Sequence, residues 1–341
     1  MSFRREFFFI PGDYIDRDSD TKMLGAMYVE RLKPEHVTFP YPLVFFHGAG
    51  QTAVNWVQTP DGRPGWASYF VDRGFTVYLV DQPARGRSAH VAGKNGGIRN
   101  FSVEEVEKRF TACRELGDWP QARKHSQWPG RGQRGDAAFD QFYASQVSFL
   151  ADEQETQTLV QKAGAALLDR IGPTVLVTHS QGGAFGWLLA DARPALVKAI
   201  AAVEPSGPPM HKERVWGPTA IRLTYDPPAE KPTDLMVTRQ SKAEGPDLNP
   251  CWLQQEPART LPNLSNIPVL IMISQASYHA AYDHCTASYL TQAGVQVEIM
   301  RLEEVGTRGN GHMMMLEMNN LDIAGRIAEW IAKAVSPDQG K

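Results

Sequence analysis

The sequence predicts an α/β protein built on a mostly parallel, eight-stranded, doubly wound sheet with insertions. Three observations predict it. Short apolar runs alternate with helical patterns over most of the 341 residues. Six of those runs are apolar through their middles, as strands covered by helices on both faces are. Two long stretches break the alternation without forming a pattern of their own, so they read as excursions from one sheet.

Taken in order, "EFFFI" (6–10) and "LGAMYVERL" (24–32) look like an antiparallel start. The parallel strands are "PLVFFHG" (42–48), "FTVYLVDQP" (75–83), "PTVLVTHS" (173–180), "VKAIAAVEP" (197–205), "PVLIMIS" (268–274) and "VQVEIMRL" (295–302), rich in β-branched and aromatic residues and bounded by Gly, Pro or Asp. Helical patterns cover 153–172, ending at Gly172 before Pro173, then 182–194, 277–294 and 313–335. Residues 89–152, with many Gly, Arg and Trp and weak periodicity, and the Pro-rich residues 207–262 are the excursions. The expected organisation is a single domain over 1–341 with these two cap insertions over the carboxyl edge of the sheet.

Composition narrows the class. Hydrophobic residues at 42% and charged residues at 21% fit a soluble globular chain and exclude disorder or a membrane protein. Net charge is −3 and the basic residues are scattered, apart from "RKHSQWPGRGQRG" (123–135), so no nucleic-acid face is expected. The apolar run Phe7 to Ile10 stops at Pro11-Gly12, too short for a signal core or a span. A cytoplasmic location with no membrane partner is therefore expected, unless a leader has been removed. The three cysteines, Cys113, Cys251 and Cys285, are odd in number and widely spaced, so free thiols and no metal are expected. Cys285 reads as a packed helical residue rather than a nucleophile.

The chemistry begins at "VLVTHSQGG" (175–183), where a strand would enter a sharp turn and leave as a helix. That geometry presents the Ser180 hydroxyl at the carboxyl edge, where α/β sheets bind ligands. Gly182, Gly183 and Gly186 let the helix start close to the strand. Thr178 stands where a G-x-S-x-G turn has its first glycine, and a serine N-cap explains the same stretch. Two further motifs precede it: "LVFFHGAGQT" puts His47-Gly48 directly after a strand, and "VYLVDQPARGRSA" carries D-x-x-x-x-G-x-S on the next.

In this order the three motifs resemble the α/β-hydrolase family across nearly the whole chain. The resemblance implies the α/β-hydrolase fold, Ser180 as nucleophile, and the backbone N–H groups of Ala49 and Gln181 as an oxyanion hole. It also implies a histidine just before the last helix, and "GNGHMMM" supplies His312 there. His47 and His179 flank the motifs and are expected to shape the site. For the acid, the loop "QASYHAAYD" holds no carboxylate before Asp283, whereas Glu204 ends the strand "AAVEPSGPP". A Glu at an apolar strand end needs a partner, and a protonatable His is a natural one. Glu204 after the sixth strand, with "GNGHMMM" and "NNL", resembles a small group of bacterial esterases within the fold. On that basis Glu204 is taken as the acid; Asp283 and the pair Glu303 and Glu304 are the alternatives.

These residues predict hydrolysis of a carboxylic ester or lactone by a Ser-His-Glu triad through an acyl-enzyme, with no cofactor. His47, His179, Trp119, Trp128, Trp216, Trp252 and Met313 are the expected substrate contacts, and Phe139, Phe142 and Tyr225 add aromatic surface; core packing is the alternative for the aromatic residues and Met313. The same triad would also serve C–C bond hydrolysis or acyl transfer to an alcohol, and a ligand-binding relative without turnover is the reading from another class. The expected partner is a small-molecule ester or lactone. Cap aromatics would equally suit a homodimer contact.

Overall fold

The computed structural model describes residues 2–17 and 20–336. Eight strands form the main sheet: β1 (Phe3–Ile10), β2 (Met27–Pro34), β3 (Leu43–Phe46), β4 (Val77–Asp81), β5 (Thr174–His179), β6 (Val197–Val203), β7 (Val269–Ile273) and β8 (Val297–Arg301). Their spatial order is β1-β2-β4-β3-β5-β6-β7-β8. β1 pairs antiparallel with β2, and β2 with β4; from β4 onward every pairing is parallel. A charged hairpin, Asp13–Arg17 with Asp20–Leu24, stands outside this sheet and was not expected.

Continuous apolar strands are explained by two core layers. Alternate residues feed opposite faces, the two-residue period of a strand. Val44, Leu176, Ile200 and Ile271 pack on one side, and Phe45, Val177, Ala201 and Met272 on the other. Helices α2 (Glu153–Ile171), α3 (Gly182–Ala192) and α4 (Asp283–Gln292) cover the first face; α1 (Trp66–Asp72) and α5 (Asn320–Ala334) cover the second. Asp152 caps α2 by accepting the N–H groups of Gln154 and Glu155, and Gly172 ends it at φ 83°.

Two expected helices change shape. The pattern over 277–294 is broken into a 3₁₀ turn, Tyr278–Ala281, and then α4. The last helix begins at Asn320 rather than 313 because Arg63 takes the carbonyls of Leu316 (3.2 Å), Glu317 (3.0 Å) and Met318 (3.0 Å), which a continuing helix would have used itself.

The expectation of free thiols is corrected. Cys251 and Cys285 form a disulfide, with Cα atoms 5.1 Å apart across a separation of 34 residues; Cys113 is free and buried. The bond ties the segment 207–262 to α4, a proximity that spacing along the chain does not express. That segment also carries a two-stranded ribbon, Val237–Arg239 with Trp252–Gln254. Residues 89–152 hold short helical turns, including Val103–Val106, a π-turn Glu107–Thr111 and the helix Ala137–Ala144.

Candidate active site

Ser180 sits between β5 and α3 with φ 54°, in the left-handed region. A non-glycine residue there costs about 1–3 kcal/mol and persists only where its surroundings fix it. They do: the Ser180 N–H donates to Val203 O (3.1 Å), and its carbonyl accepts from Gly183 (2.9 Å) and Ser206 (2.8 Å). The two glycines after it leave no room for side chains. A Cβ on Gly182 would lie 2.6 Å from Phe46 O, and one on Gly183 2.3 Å from Pro205 Cβ. Thr178 is fully buried and faces Gly186 on α3, where a Cβ would lie 3.2 Å from Ile200 Cγ2 and 3.4 Å from Thr178 Cγ2.

Glu204, at the end of β6, repeats the same backbone reversal with φ 42°. Its Oε2 accepts from His312 Nδ1–H at 2.6 Å, and its Oε1 accepts from the Ser274 N–H (2.8 Å) and Oγ–H (2.6 Å). Both partners are buried. Burial raises the Glu204 carboxyl, against the opposing pull of His279, Ser274 and Ser277. Burial also drives His312 well below 6.5, with His279 and then Arg109 adding to the effect. The imidazole is thus neutral with Nδ1–H toward Glu204. Its Nε2, left as an acceptor, has no hydrogen-bond partner among the described residues.

Asp283 does not reach His312. Its carboxylate meets His279 Nδ1 at 2.9 and 3.1 Å, and burial pushes the two in opposite directions, Asp283 well up and His279 down to about 3. Glu303 and Glu304 lie in the turn after β8 and have no bond to His312 among the described residues.

The loop bearing His312 is anchored by Glu317, a residue the motif reading did not use. Its buried carboxylate accepts from the Gly311 N–H (2.9 and 3.1 Å), Asn310 Nδ2 (2.7 Å) and His125 Nε2 (2.6 Å). Burial works against a charge on His125, but Cys113 and Glu317 overcome it and push the imidazole up to about 10. A single carboxylate inside "MMMLEMNNL" was the available signal.

Above these groups opens a cavity of about 660 Å³ lined by Ser180, Gln181, His312, Ala49, His179 and Met313, among others. Neither the Ala49 nor the Gln181 N–H donates to a protein acceptor among the described residues. Buried Arg85 ties their loops together, donating to Gly48 O (3.2 Å) and Gln181 Oε1 (3.1 Å). Asp81 holds the next turn through the N–H groups of Ala53 and Arg87, both at 2.9 Å.

Of the expected contacts, His179, Trp252 and Met313 line the cavity; His47, Trp119, Trp128 and Trp216 do not. His47 is buried beneath it, donating from Nδ1 to Gly48 O (2.9 Å), and burial brings it down to about 3. Trp119 donates to Ala276 O (2.9 Å) behind Tyr278. Trp128 packs on Phe142 in the core, and Trp216 lies against the opposite core layer. In their place stand residues no motif singled out: Arg109, Phe110, Tyr278 and Tyr282. Phe110 and Tyr278 approach the His312 ring to 5.5 and 5.0 Å between centroids.

The sequence model described as "Alpha/beta hydrolase family" matches residues 43–325. A fungal protein (strain ATCC 74256) named "Probable secreted lipase phiG" is 46% identical over 334 residues, covering 96% of this chain and 89% of that one. The atomic-resolution structure of a novel bacterial esterase superposes with a TM-score of 0.65 at 22% identity, covering 98% of this chain and 96% of that one, and bears on the fold alone. The expectation of a cytoplasmic protein is corrected by these findings, since the fungal relative is named as secreted and the Cys251–Cys285 bond suits an oxidising compartment. Among the described residues no helix is long and apolar enough to cross a membrane. The chain belongs to the alpha/beta hydrolase family.

Proposed function

We propose that the protein hydrolyses carboxylic esters, lactones included, with Ser180 as nucleophile, His312 as base and Glu204 as the acid that orients it. The observation that carries this reading is the 2.6 Å bond from His312 Nδ1 to Glu204, which leaves Nε2 free at the cavity that holds Ser180. Family membership and a relative named as a lipase support the ester class.

In this reading Ser180 Oγ attacks the carbonyl carbon as its proton passes to His312 Nε2. The Ala49 and Gln181 N–H groups hold the resulting oxyanion. Collapse breaks the bond to the alkoxy oxygen, which takes the proton from His312. Water, deprotonated by the same nitrogen, then attacks the acyl-Ser180 ester; a second collapse releases the acid and returns the proton to Ser180. Residues 89–152 and 207–262 act as a cap that selects the substrate.

Hydrolysis of 4-nitrophenyl acetate and butyrate tests the assignment. Ser180→Ala should lower kcat by about 10⁴-fold or more and abolish labelling by a fluorophosphonate, with the melting temperature preserved. Activity within tenfold of the parent would remove Ser180 from the role.

A further inference from the structure

The wall of the cavity nearest His312 carries a cation, Arg109, that meets the Tyr278 hydroxyl but forms no ion pair with a carboxylate among the described residues. Residues 103–116 would be one helix but for the π-turn Glu107–Thr111, closed by the Ala112 N–H to Glu107 O at 2.7 Å. Such turns insert a residue and re-aim side chains, often at functional sites. Here the turn brings Arg109 and Phe110 to the cavity together. Phe110 stacks on His312, and Arg109 Cζ lies 4.4 Å from the centroid of Tyr278, whose ring is itself 5.0 Å from that of His312.

Two other arginines of the cavity are already engaged. Arg214 meets Glu153 at 3.2 Å, and Arg99 meets Glu105 at 3.8 Å. Arg239 and Lys212 are exposed at the mouth. Arg109 is half-buried among aromatic rings and has no carboxylate partner among the described residues. A neutral substrate filling the cavity would strip water from this guanidinium and leave it only the Tyr278 side chain, an unfavourable exchange. A carboxylate would restore a charge-assisted, two-pronged contact in surroundings that strengthen it.

Resting on the ester-hydrolase reading, we infer that the substrate is an ester bearing a carboxylate a few bonds from the scissile carbonyl, and that Arg109 binds that carboxylate. The ring contacts set the reach: the guanidinium is one aromatic side chain away from the base, so the spacer is a short chain.

Two measurements test this. In the first, kcat/KM is compared for mono-4-nitrophenyl glutarate and the neutral 4-nitrophenyl pentanoate. The parent enzyme should prefer the anionic ester by roughly 10- to 100-fold, the range of a hydrogen bond to a charged group, with the difference mainly in KM. Arg109→Gln should bring the ratio to about one or below, whatever the absolute rates, and Arg109→Lys should retain part of it. A residue that merely props up Tyr278 would change both esters alike. A parent ratio of one or less, or a ratio unmoved by Arg109→Gln, overturns the inference.

In the second, the Ser180→Ala protein is titrated calorimetrically with monomethyl glutarate. Saturable binding that disappears when Arg109→Gln is added supports the carboxylate site independently of turnover. Binding of this kind in a protein that cleaves neither ester would sink the hydrolase reading alone. Cleavage of the neutral ester with no such binding would sink the carboxylate site alone.

Discussion

His279 lies flat against His312, with ring centroids 4.4 Å apart and planes 9° from parallel. Each imidazole has its own carboxylate, Asp283 for His279 and Glu204 for His312. Burial keeps both rings neutral, and at His312 the neighbouring His279 adds to the effect. The arrangement resembles a duplicated His-carboxylate pair, but only the His312 pair is built from the end of a main-sheet strand and the loop before the last helix.

That distinction yields the first prediction. Glu204→Gln should lower kcat on a neutral ester by about 10³- to 10⁴-fold, because an amide no longer fixes the tautomer or stabilises the imidazolium. Asp283→Asn should stay within about tenfold of the parent while lowering the melting temperature. Steady-state kinetics with thermal melts of both variants decide it; the reverse pattern would move the acid role to Asp283.

The pH profile follows from the same charges. Protonated His312 cannot accept from Ser180, and burial, His279 and Arg109 all oppose that protonation. The acid limb of kcat/KM for a neutral ester should therefore have its midpoint below pH 6.5. Removing the Arg109 charge makes the protonated ring easier to form, so Arg109→Gln should move the limb to higher pH. A limb that stays put, or moves down, would contradict the electrostatic account.

The disulfide supplies a stability test. Loss of a cross-link closing a loop of 34 residues should cost about 3–4 kcal/mol by the chain-entropy estimate. Cys251→Ser should show it as a lowered midpoint in urea unfolding. Because Asn249, Pro250 and Trp252 beside Cys251 line the cavity, KM should rise as well. An unchanged KM would mean that the Asn249 N–H to Ala281 O bond (2.7 Å) holds this wall without help.

Glu317 predicts a remote effect on His312. Glu317→Ala strands His125, Asn310 and the Gly311 N–H in a buried space, which should cost about 3–5 kcal/mol. Where the variant remains folded, kcat should fall as the His312 loop loosens. Glu317→Gln, which keeps one acceptor, should be milder in both unfolding and kinetic measurements.

What was legible in the sequence follows from how each feature is encoded. Leu43–Phe46 or Val269–Ile273 had to be apolar throughout because both faces are buried, so the strands could be read, although the reading ran on into the turns that follow. The placement of Ser180, Glu204 and His312 at the carboxyl edge of the sheet could be read because Gly or Pro marks the backbone change beside each. Arg109 could not: nothing local signals a bond from one residue to the fifth before it. Nor could the start of α5, set by Arg63 from 254 residues away, or the pairing of Cys251 with Cys285. Trp119 and Trp128 were read as pocket walls because cores and pockets use the same aromatic residues.

The left-handed turns at Ser180 and Glu204 have a thermal consequence. They leave neighbouring parallel strands and are laced together, Ser180 N–H to Val203 O and Ser206 N–H to Ser180 O. The spacing of the proposed nucleophile and acid is therefore inherited from the hydrogen-bonded lattice of the sheet, the stiffest and last-melting part of such a molecule. The cavity walls hang on irregular segments and one disulfide. On warming, discrimination between substrates should fade before reactivity does, leaving over a span of temperature a catalyst that still cuts but no longer chooses.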